Sequence, residues 1–339
     1  MRQKVEIIVD LQYGSCGKGL MAGWRAKQRG VDTLVTAWAP NAGHTFIDSK
    51  GEKFVHCAIP NGVVSDKLKR ILIGPGSVIN PDLMESEIKH LQNRGYLNNV
   101  EIIIHPYAAV VFEEHRQEEA CSMAKIGSTM KGVGAAMIQK IRRDPDNMNV
   151  AYVALRNHEL FQYVVPVDEY HAAYDKGRLI QVEGAQGYSI SMNHGFYPYT
   201  TSRDCTVLQT MSDCGLPFVR DPMIIGVART FPIRVNNRGY TSGPCYSDQK
   251  ELTWEQVGVE PELTTVTKLP RRVFSWSPMQ IKDAIRANNV DAVFLNFCNY
   301  ARNKQIIQGM KRDVIEAGSR ILWYGYGPTE NDITHGIKE

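Results

Sequence analysis

The sequence predicts an α/β protein with a central, mostly parallel sheet flanked by helices. Three observations carry that prediction. Short β-branched runs alternate with longer amphipathic segments along the chain, the pattern of a parallel sheet with helical crossovers. The first apolar run, Val5-Glu6-Ile7-Ile8-Val9, passes through Gly14-Ser15-Cys16-Gly17-Lys18-Gly19 into an Ala-, Leu- and Lys-containing segment, which reads as strand, glycine-rich turn and helix. Polar, glycine-rich loops recur where later runs end.

The later elements follow in order. Val31-Asp32-Thr33-Leu34-Val35-Thr36 is a strand leading to Asn41-Ala42-Gly43-His44-Thr45, and Arg70-Ile71-Leu72-Ile73 is one leading to Gly74-Pro75-Gly76. Leu83 to Arg94 has apolar residues at helical spacing with Gly95 as its stop, and Glu113 to Lys125 reads as a charged surface helix. Leu179-Ile180-Gln181-Val182 is a strand leading to Glu183-Gly184-Ala185-Gln186-Gly187. Pro198 to Pro244, rich in Gly, Pro, Arg and Thr, reads as long ordered loops around a site. Ser277-Pro278-Met279-Gln280 has the form of a capping box with proline at the first helical position; it opens a helix leading into Asp291-Ala292-Val293-Phe294-Leu295. No repeat, low-complexity stretch or linker divides the chain, so residues 1–339 are expected to form a single domain. Ligands of open parallel sheets bind outside the carboxyl ends of the strands, so these loops are predicted to converge on one crevice.

Composition narrows the function. Hydrophobic residues make up 43% and charged residues 22%, and 39 basic against 36 acidic side chains leave a net charge of +3. That balance argues against polyanion binding, so no nucleic-acid partner is expected. The seven cysteines are scattered, with no C-x-x-C pair, as expected of free thiols in a reducing cytoplasm. The nine histidines form no H-E-x-x-H or Cys/His cluster, so no zinc site is expected. No run approaches the length needed to cross a bilayer, and Met1-Arg2-Gln3-Lys4 runs directly into a strand. A soluble, unexported protein without a membrane partner is predicted.

The turn from Gly14 to Gly19 is where a protein of this class cradles phosphate. Its glycines admit close approach of an anion, the following helix presents unpaired N–H groups at a positive dipole end, and Lys18 adds a point charge. The spacing is shorter than the standard G-x-x-x-x-G-K-[ST] loop, and Leu20 stands where a metal-binding hydroxyl is expected.

Several motifs in order carry a family resemblance. Gly14 to Gly19, Asn41 to Thr45, Glu183 to Gly187, His194 to Ser202 (HGFYPYTTS) and Ile225 to Val235 (IGVARTFPIRV) resemble the motif series of the adenylosuccinate synthetase family. Gly127 to Gly134 (GSTMKGVG) is similar to that family's mid-chain phosphate loop. The resemblance implies a P-loop-NTPase-like sheet. It also implies a ligase that phosphorylates a purine monophosphate at O6 from a nucleoside triphosphate and then admits the amine of L-aspartate. Phosphoryl transfer of this kind depends mainly on positioning and charge neutralisation.

Site residues follow from the same resemblance. Gly14, Ser15, Cys16, Gly17, Lys18 and Gly19 would surround the phosphates, with Mg2+ held by the loop position Ser15 and the Gly43 carbonyl. His44 would act as acid or electrostatic stabiliser and Gln186 would orient the 6-phosphoryl group. Asn41, Thr129 and Thr201 match positions that hold the monophosphate. Arg143 matches a residue reaching that phosphate from the partner of a homodimer, with Arg142 as the alternative match.

Three departures from the family direct the substrate assignment. The family's loop carries Asp then Glu where this chain has Ser15 and Cys16. In the family that Asp takes the proton from purine N1, and a serine hydroxyl cannot do so without its own base. An inactive homologue or nucleotide-binding regulator, a weak adenylosuccinate synthetase using IMP and GTP, and an enzyme for a different purine are the three readings. The last is favoured because Ser15 leaves room for the 2-amino group of guanine. This substitution resembles the family's bacteriophage branch, which converts dGMP toward 2-aminoadenine deoxynucleotide. The N1 proton acceptor stays open between the amino acid's carboxylate, a water and an assisted Ser15.

The second departure replaces a Thr-Lys-x-Asp strand end by Asn296-Phe297-Cys298-Asn299. An amide both donates and accepts, which suits the N6/N7 edge of adenine, so Asn299 points to ATP. Gly327 and Pro328 match residues lying against that base. The third departure is Thr264 to Arg272, where Thr265, Thr267, Arg271 and Arg272 are the candidates for binding aspartate and Leu269 suits a deoxyribose. Guanidinium groups grip carboxylates through paired hydrogen bonds. The expectation is a cytoplasmic ligase, in a host cell if phage-encoded, that joins dGMP and L-aspartate using ATP and Mg2+.

Overall fold

The computed structural model describes residues 3–122, 129–236, 239–264 and 268–338. Its first half runs β1 Lys4–Asp10, α1 Lys18–Arg29, β2 Thr33–Thr36, β3 His44–Ile47, β4 Lys53–His56, β5 Arg70–Ile73, β6 Val78–Ile79, α2 Pro81–Asn93, β7 Glu101–Ile104, β8 Ala109–Val110, α3 Glu113–Ser122 and α4 Val133–Arg142. Next come α5 Ala151–Ala154, α6 Val167–Asp175, β9 Leu179–Glu183, α7 Val207–Asp213, β10 Met223–Arg229, β11 Ile233–Arg234 and β12 Glu251–Leu252. The last elements are α8 Trp254–Val257, β13 Arg272–Phe274, α9 Pro278–Asn288, β14 Ala292–Asn296, α10 Lys304–Glu316, β15 Ile321–Gly325 and β16 Ile333–Thr334.

Nine strands form the main sheet in the order β16-β15-β14-β10-β1-β9-β2-β5-β7. Neighbours pair in parallel, except that β16 returns antiparallel along β15. β1 lies between β10 and β9, with Ile8 opposite Ile225 on one side and Glu183 on the other. Alternate residues of β1 enter different cores. Ile8 packs with Leu20, Met21, Phe46 and Phe294, whereas Ile7 and Val9 pack with Val182, Ile224 and Val293. Both faces are covered, which is why the strands read as nearly unbroken apolar runs. Ile7 and Ile8 are fully buried, and burying each such side chain is worth about 1.5–3 kcal/mol.

The expected strands and the glycine turn are present, and three readings need correction. The segment from Pro198 to Pro244 holds more than loops: it contains α7 and β10, and β10 is a central strand whose apolar run is buried on both faces. The helix from Glu113 is not simply a charged surface. His115 and Glu119 are buried, and the Glu119 carboxylate accepts the backbone N–H groups of Gly132 and Gly134 at 2.8 and 2.6 Å. Residues 123–125 of that expected helix lie outside the described residues. At α9, Ser277 accepts from the Gln280 backbone and Pro278 opens the helix. The return half of the box is replaced, because the Gln280 side chain donates to Ser189 Oγ at 2.8 Å.

Candidate active site

Five neighbouring strands of the main sheet, β14, β10, β1, β9 and β2, bring Asn296, Arg229, Asp10, Glu183 and Thr36 to one edge at their carboxyl ends. Asp10 organises the glycine loop beside it. Its Oδ1 accepts the backbone N–H of Gln12 at 2.9 Å and of Gly14 at 3.1 Å. Its Oδ2 accepts the N–H of Cys16 at 3.3 Å and lies 3.4 Å from Lys18 Nζ. Lys18 also donates to the Gln186 carbonyl at 2.5 Å. The loop is therefore folded around a buried carboxylate, with its lysine already pointed at the Gln186 turn.

Gly17 caps α1 with φ +95° and no side-chain hydrogen bond, which leaves the first N–H groups of the helix for a ligand. A Cβ on Gly17 would stand 2.2 Å from Asn296 Nδ2, so no larger residue fits. Gly14, Cys16 and Gly19 are buried, whereas Ser15 is exposed at the tip in the left-handed region at φ +56°. Burial pushes the Cys16 thiol well above its ordinary value, which keeps it protonated.

A histidine–carboxylate pair faces this loop. His44 opens β3, with Nδ1 3.1 Å from Glu183 Oε1, and its ring stacks on Trp38 at 3.7 Å. Trp38 Nε1 and Thr36 Oγ1 donate to the Glu183 carbonyl, while the backbone N–H of Asn61 donates to Glu183 Oε2 at 3.0 Å. Burial lowers the proton affinity of His44, and the hydrogen bond to Glu183 opposes that fall. With Nδ1–H turned to the carboxylate, Nε2 is the nitrogen left for a reacting group. Gln186 stands at φ +60° and donates from Nε2 to Asn41 Oδ1 at 3.1 Å, so these two candidates are brought together.

Arg272 lies in β13 with Nε and Nη2 on the Glu251 carboxylate and Nη1 on Ser242 Oγ and the Gly243 carbonyl. Its guanidinium is engaged within the fold by these partners. Arg271 is half-buried, and toward the described residues its guanidinium donates from Nε alone, to the Leu263 carbonyl at 3.3 Å. Thr265 and Thr267 lie outside the described residues. Asn299 is exposed on a short turn, Cys298–Tyr300, and Pro328 is also exposed. Gly327 packs against the Asp332 side chain. Thr129 and Thr201 are half-buried, and Arg142 and Arg143 are exposed at the end of α4.

The metal donors also need definition. Ser15 and Gly43 are exposed and offer a hydroxyl and a carbonyl, whereas both oxygens of Asp10 are already engaged. Among the described residues, no three His, Cys, Asp or Glu side chains are placed to hold a metal ion. Such a donor set fits Mg2+ delivered on a triphosphate, whose phosphates and waters supply most ligands.

Asp10, Glu183, Arg229 and Asn296 were not singled out for roles by sequence reasoning. Each is the polar residue that closes an apolar strand, and that shared pattern was the available signal.

Comparison with known proteins decides the family. The sequence profile of adenylosuccinate synthetase matches residues 7–163 and 145–308. The chain belongs to the adenylosuccinate synthetase family. Within it, the chain is 46% identical to the N6-succino-2-amino-2'-deoxyadenylate synthase of Salmonella phage PMBT28, covering 98% of this chain and 97% of the relative. The cyanophage S-2L succinoaminodeoxyadenylate synthetase, solved with dGMP and with dATP as energy donor, superposes with a TM-score of 0.94 at 43% identity; the match covers 100% of this chain and 97% of that one. The adenylosuccinate synthetase of Plasmodium falciparum shares the fold, with a TM-score of 0.79 at 18% identity over 99% of this chain and 100% of that one.

Proposed function

We propose that this chain joins dGMP and L-aspartate, with conversion of ATP to ADP and phosphate, giving N6-succino-2-amino-2'-deoxyadenylate. It is a C–N bond-forming ligase of the adenylosuccinate synthetase family. Support for the substrate comes from the phage relative's name and from the dGMP and dATP bound by the cyanophage protein. The observation that carries the reading is Ser15, a small exposed hydroxyl at the tip of a phosphate loop whose other residues are buried or half-buried.

The γ-phosphoryl group passes to O6 of the purine, and the aspartate amine then displaces it. Lys18 and the open N-terminus of α1 receive the phosphates, where preorganised donors are most effective. His44, held by Glu183, offers Nε2 to the transferred group, and Gln186 with Asn41 orients it. Mg2+ would be held with the Ser15 hydroxyl and the Gly43 carbonyl as protein donors, and would supply charge neutralisation for the transferring oxygens. Arg271 grips a carboxylate of aspartate. Asp10 is excluded as acceptor of the N1 proton, since its carboxylate is enclosed and fully hydrogen-bonded. Asn299 and Pro328 form the adenine side of the triphosphate pocket, and Thr129 and Thr201 hold the monophosphate. The exposed Ile138 and Ile141 beside Arg143 support a homodimer in which that arginine reaches the partner's nucleotide. Residues 1–339 act as one domain. None of the helices in the described residues is long and apolar enough to cross a membrane, and the host cytoplasm, where the nucleotides are, is the proposed location.

The test offers dGMP, GMP, IMP and dIMP with ATP or GTP, Mg2+ and aspartate, and follows phosphate release with purine absorbance. Turnover of dGMP is expected; turnover limited to IMP rejects the proposal, and binding without turnover favours a regulator. Ser15→Asp is expected to move preference from 2-aminopurine toward hypoxanthine nucleotides. An unchanged preference would refute the pocket argument.

A further inference from the structure

Ser15 is gripped by two buried charges, one at the end of β1 and the other at the end of β10. On one side Asp10 holds the N–H groups of the flanking residues Gly14 and Cys16. On the other, Arg229 Nη1 donates to the Ser15 carbonyl at 3.1 Å. Arg229 closes β10 and is among the largest side chains with no exposure at all. Its backbone is fixed by Gln12, whose Oε1 accepts the Arg229 N–H at 2.8 Å and whose Nε2 donates to the Arg229 carbonyl at 3.1 Å. Its guanidinium lies 3.8 Å from the centre of the Phe297 ring.

The charge of Arg229 is balanced from the amino-acid loop. Both terminal nitrogens meet the Glu262 carboxylate, Nη1 at 3.3 Å from Oε2 and Nη2 against Oε1, and the Tyr300 hydroxyl reaches the same Oε1 at 3.3 Å. The Glu262 carbonyl accepts the backbone N–H of Arg271 at 2.8 Å. A fully buried guanidinium needs a carboxylate partner, so Arg229 holds its position only while Glu262 does.

A left-handed serine is strained by about 1–2 kcal/mol and persists only where its peptide groups are held. We propose that Arg229 is a positioning residue that sets purine choice by holding Ser15, and that Glu262 links this grip to the occupancy of the amino-acid loop. The inference rests on the proposed dGMP reading. Loss of the guanidinium fork frees the Ser15 carbonyl and leaves the peptide after it held only through the Cys16 N–H on Asp10 at 3.3 Å, so the strained residue relaxes and the hydroxyl leaves the 2-amino group. A filled Arg271 then tightens purine selection from the far side of the site.

The experiment compares kcat/KM for dGMP and dIMP, each with ATP and aspartate, in the wild type, Arg229→Lys, Glu262→Gln, Ser15→Ala, and the Arg229→Lys/Ser15→Ala double variant. Arg229→Lys keeps the charge but loses the fork and its stacking. The preference for dGMP over dIMP is expected to fall about tenfold or more, a loss of ~1.4 kcal/mol of discrimination. The double variant is expected to lose no more preference than Ser15→Ala alone. Glu262→Gln is expected to lower the preference less and to raise KM for aspartate. A purely structural arginine would slow both purines equally. Should Arg229→Lys fail to fold, Glu262→Gln decides, since Glu262 is partly exposed at 28% and leaves the buried side chain in place. A wild type that prefers dGMP, with the same preference in every Arg229 and Glu262 variant that folds, overturns this inference alone. A wild type with no preference for dGMP overturns the reading of Ser15 and this inference together.

Discussion

Replacing Glu183 by glutamine tests the role proposed for His44 toward the transferred phosphoryl group. The Glu183 carboxylate is completely enclosed, with His44 Nδ1 at 3.1 Å and Asn61 Nδ2 at 3.4 Å from Oε1, and the Asn61 backbone nitrogen at 3.0 Å from Oε2. Glutamine has the same size, so packing is kept, but one oxygen becomes an NH2 group. In either orientation that group meets a donor. The negative charge is also lost, and burial already lowers the proton affinity of His44, with Glu183 the main opposing influence. With that counter-charge gone the variant histidine takes up a proton less readily than the wild-type one, so the imidazolium that would act as general acid is depleted. General acid catalysis contributes about 10²–10⁴-fold, so kcat for dGMP is expected to fall by that factor, a barrier increase of ~2.7–5.4 kcal/mol. KM for dGMP and ATP should hold, because neither Glu183 oxygen is free to meet a substrate. Because burial already holds His44 below its ordinary 6.5, steady-state phosphate release from about pH 7 down to about pH 5 should show the alkaline fall in rate moving to lower pH, as expected when an imidazolium loses its counter-charge. A kcat within about threefold of the wild type and an unmoved profile would refute the assignment, since that lies far below the general-acid contribution.

Three further outcomes are expected. Asp10→Asn removes the charge that holds Lys18 and two loop N–H groups, and hydrogen bonds to charged groups are worth about 1.5–3 kcal/mol; a lower urea midpoint with a raised KM for ATP is expected, and unchanged values of both would contradict the loop's dependence on this carboxylate. Gly17→Ala forces a Cβ onto Asn296 in a left-handed residue, so activity should be lost and partly restored by adding Asn296→Ala, which is checked by the double-variant assay. His56 is buried and its ionisation is lowered from 6.5 to about 4 by burial first and then by His90, His44 and Arg94. The unfolded chain therefore takes up a proton that the folded chain refuses as pH falls from 6.5 toward 4, which removes up to ~3 kcal/mol of stability over that window; in urea titrations His56→Leu should flatten this acid slope, and an equal slope in both proteins would count against the assignment.

The fold was legible because each central strand is an apolar run and each crossover shows helical spacing; Ile7 and Ile8 alone fix a strand buried on both faces. The strand order was not legible. Insertion of β9 between β1 and β2, and of β10 between β1 and β14, depends on contacts between residues far apart in the chain. The same gap explains Arg272. Its sequence neighbourhood is a basic cluster next to Arg271, but β13 pairs with β12 and turns it toward Glu251, whereas Arg271 stays outside the pairing. Asn296 and Asn299 divide in the same way. The first closes β14, buried against the glycine loop with Nδ2 3.2 Å from the Cys16 carbonyl, and the second stands exposed on the turn that follows.

The polar residue at the end of each central strand gives the site its organisation. Asp10, Glu183, Arg229 and Asn296 stand at the carboxyl ends of neighbouring strands, where the sheet opens, and so fall along one line, whereas the charge inside β1, Glu6, is paired with Arg25. None of them needs to touch a substrate. Asp10 folds the loop that carries Lys18, Glu183 aims His44, Arg229 fixes the carbonyl of Ser15, and Asn296 occupies the space that keeps Gly17 a glycine. The side chains proposed to meet the nucleotide are thus one step removed from the sheet and held by charges in its low-dielectric interior, where a misplaced partner costs most. Substrate preference is accordingly expected to respond to substitutions along this line, and Ser15 is the position where a change of purine can be accommodated without rebuilding it.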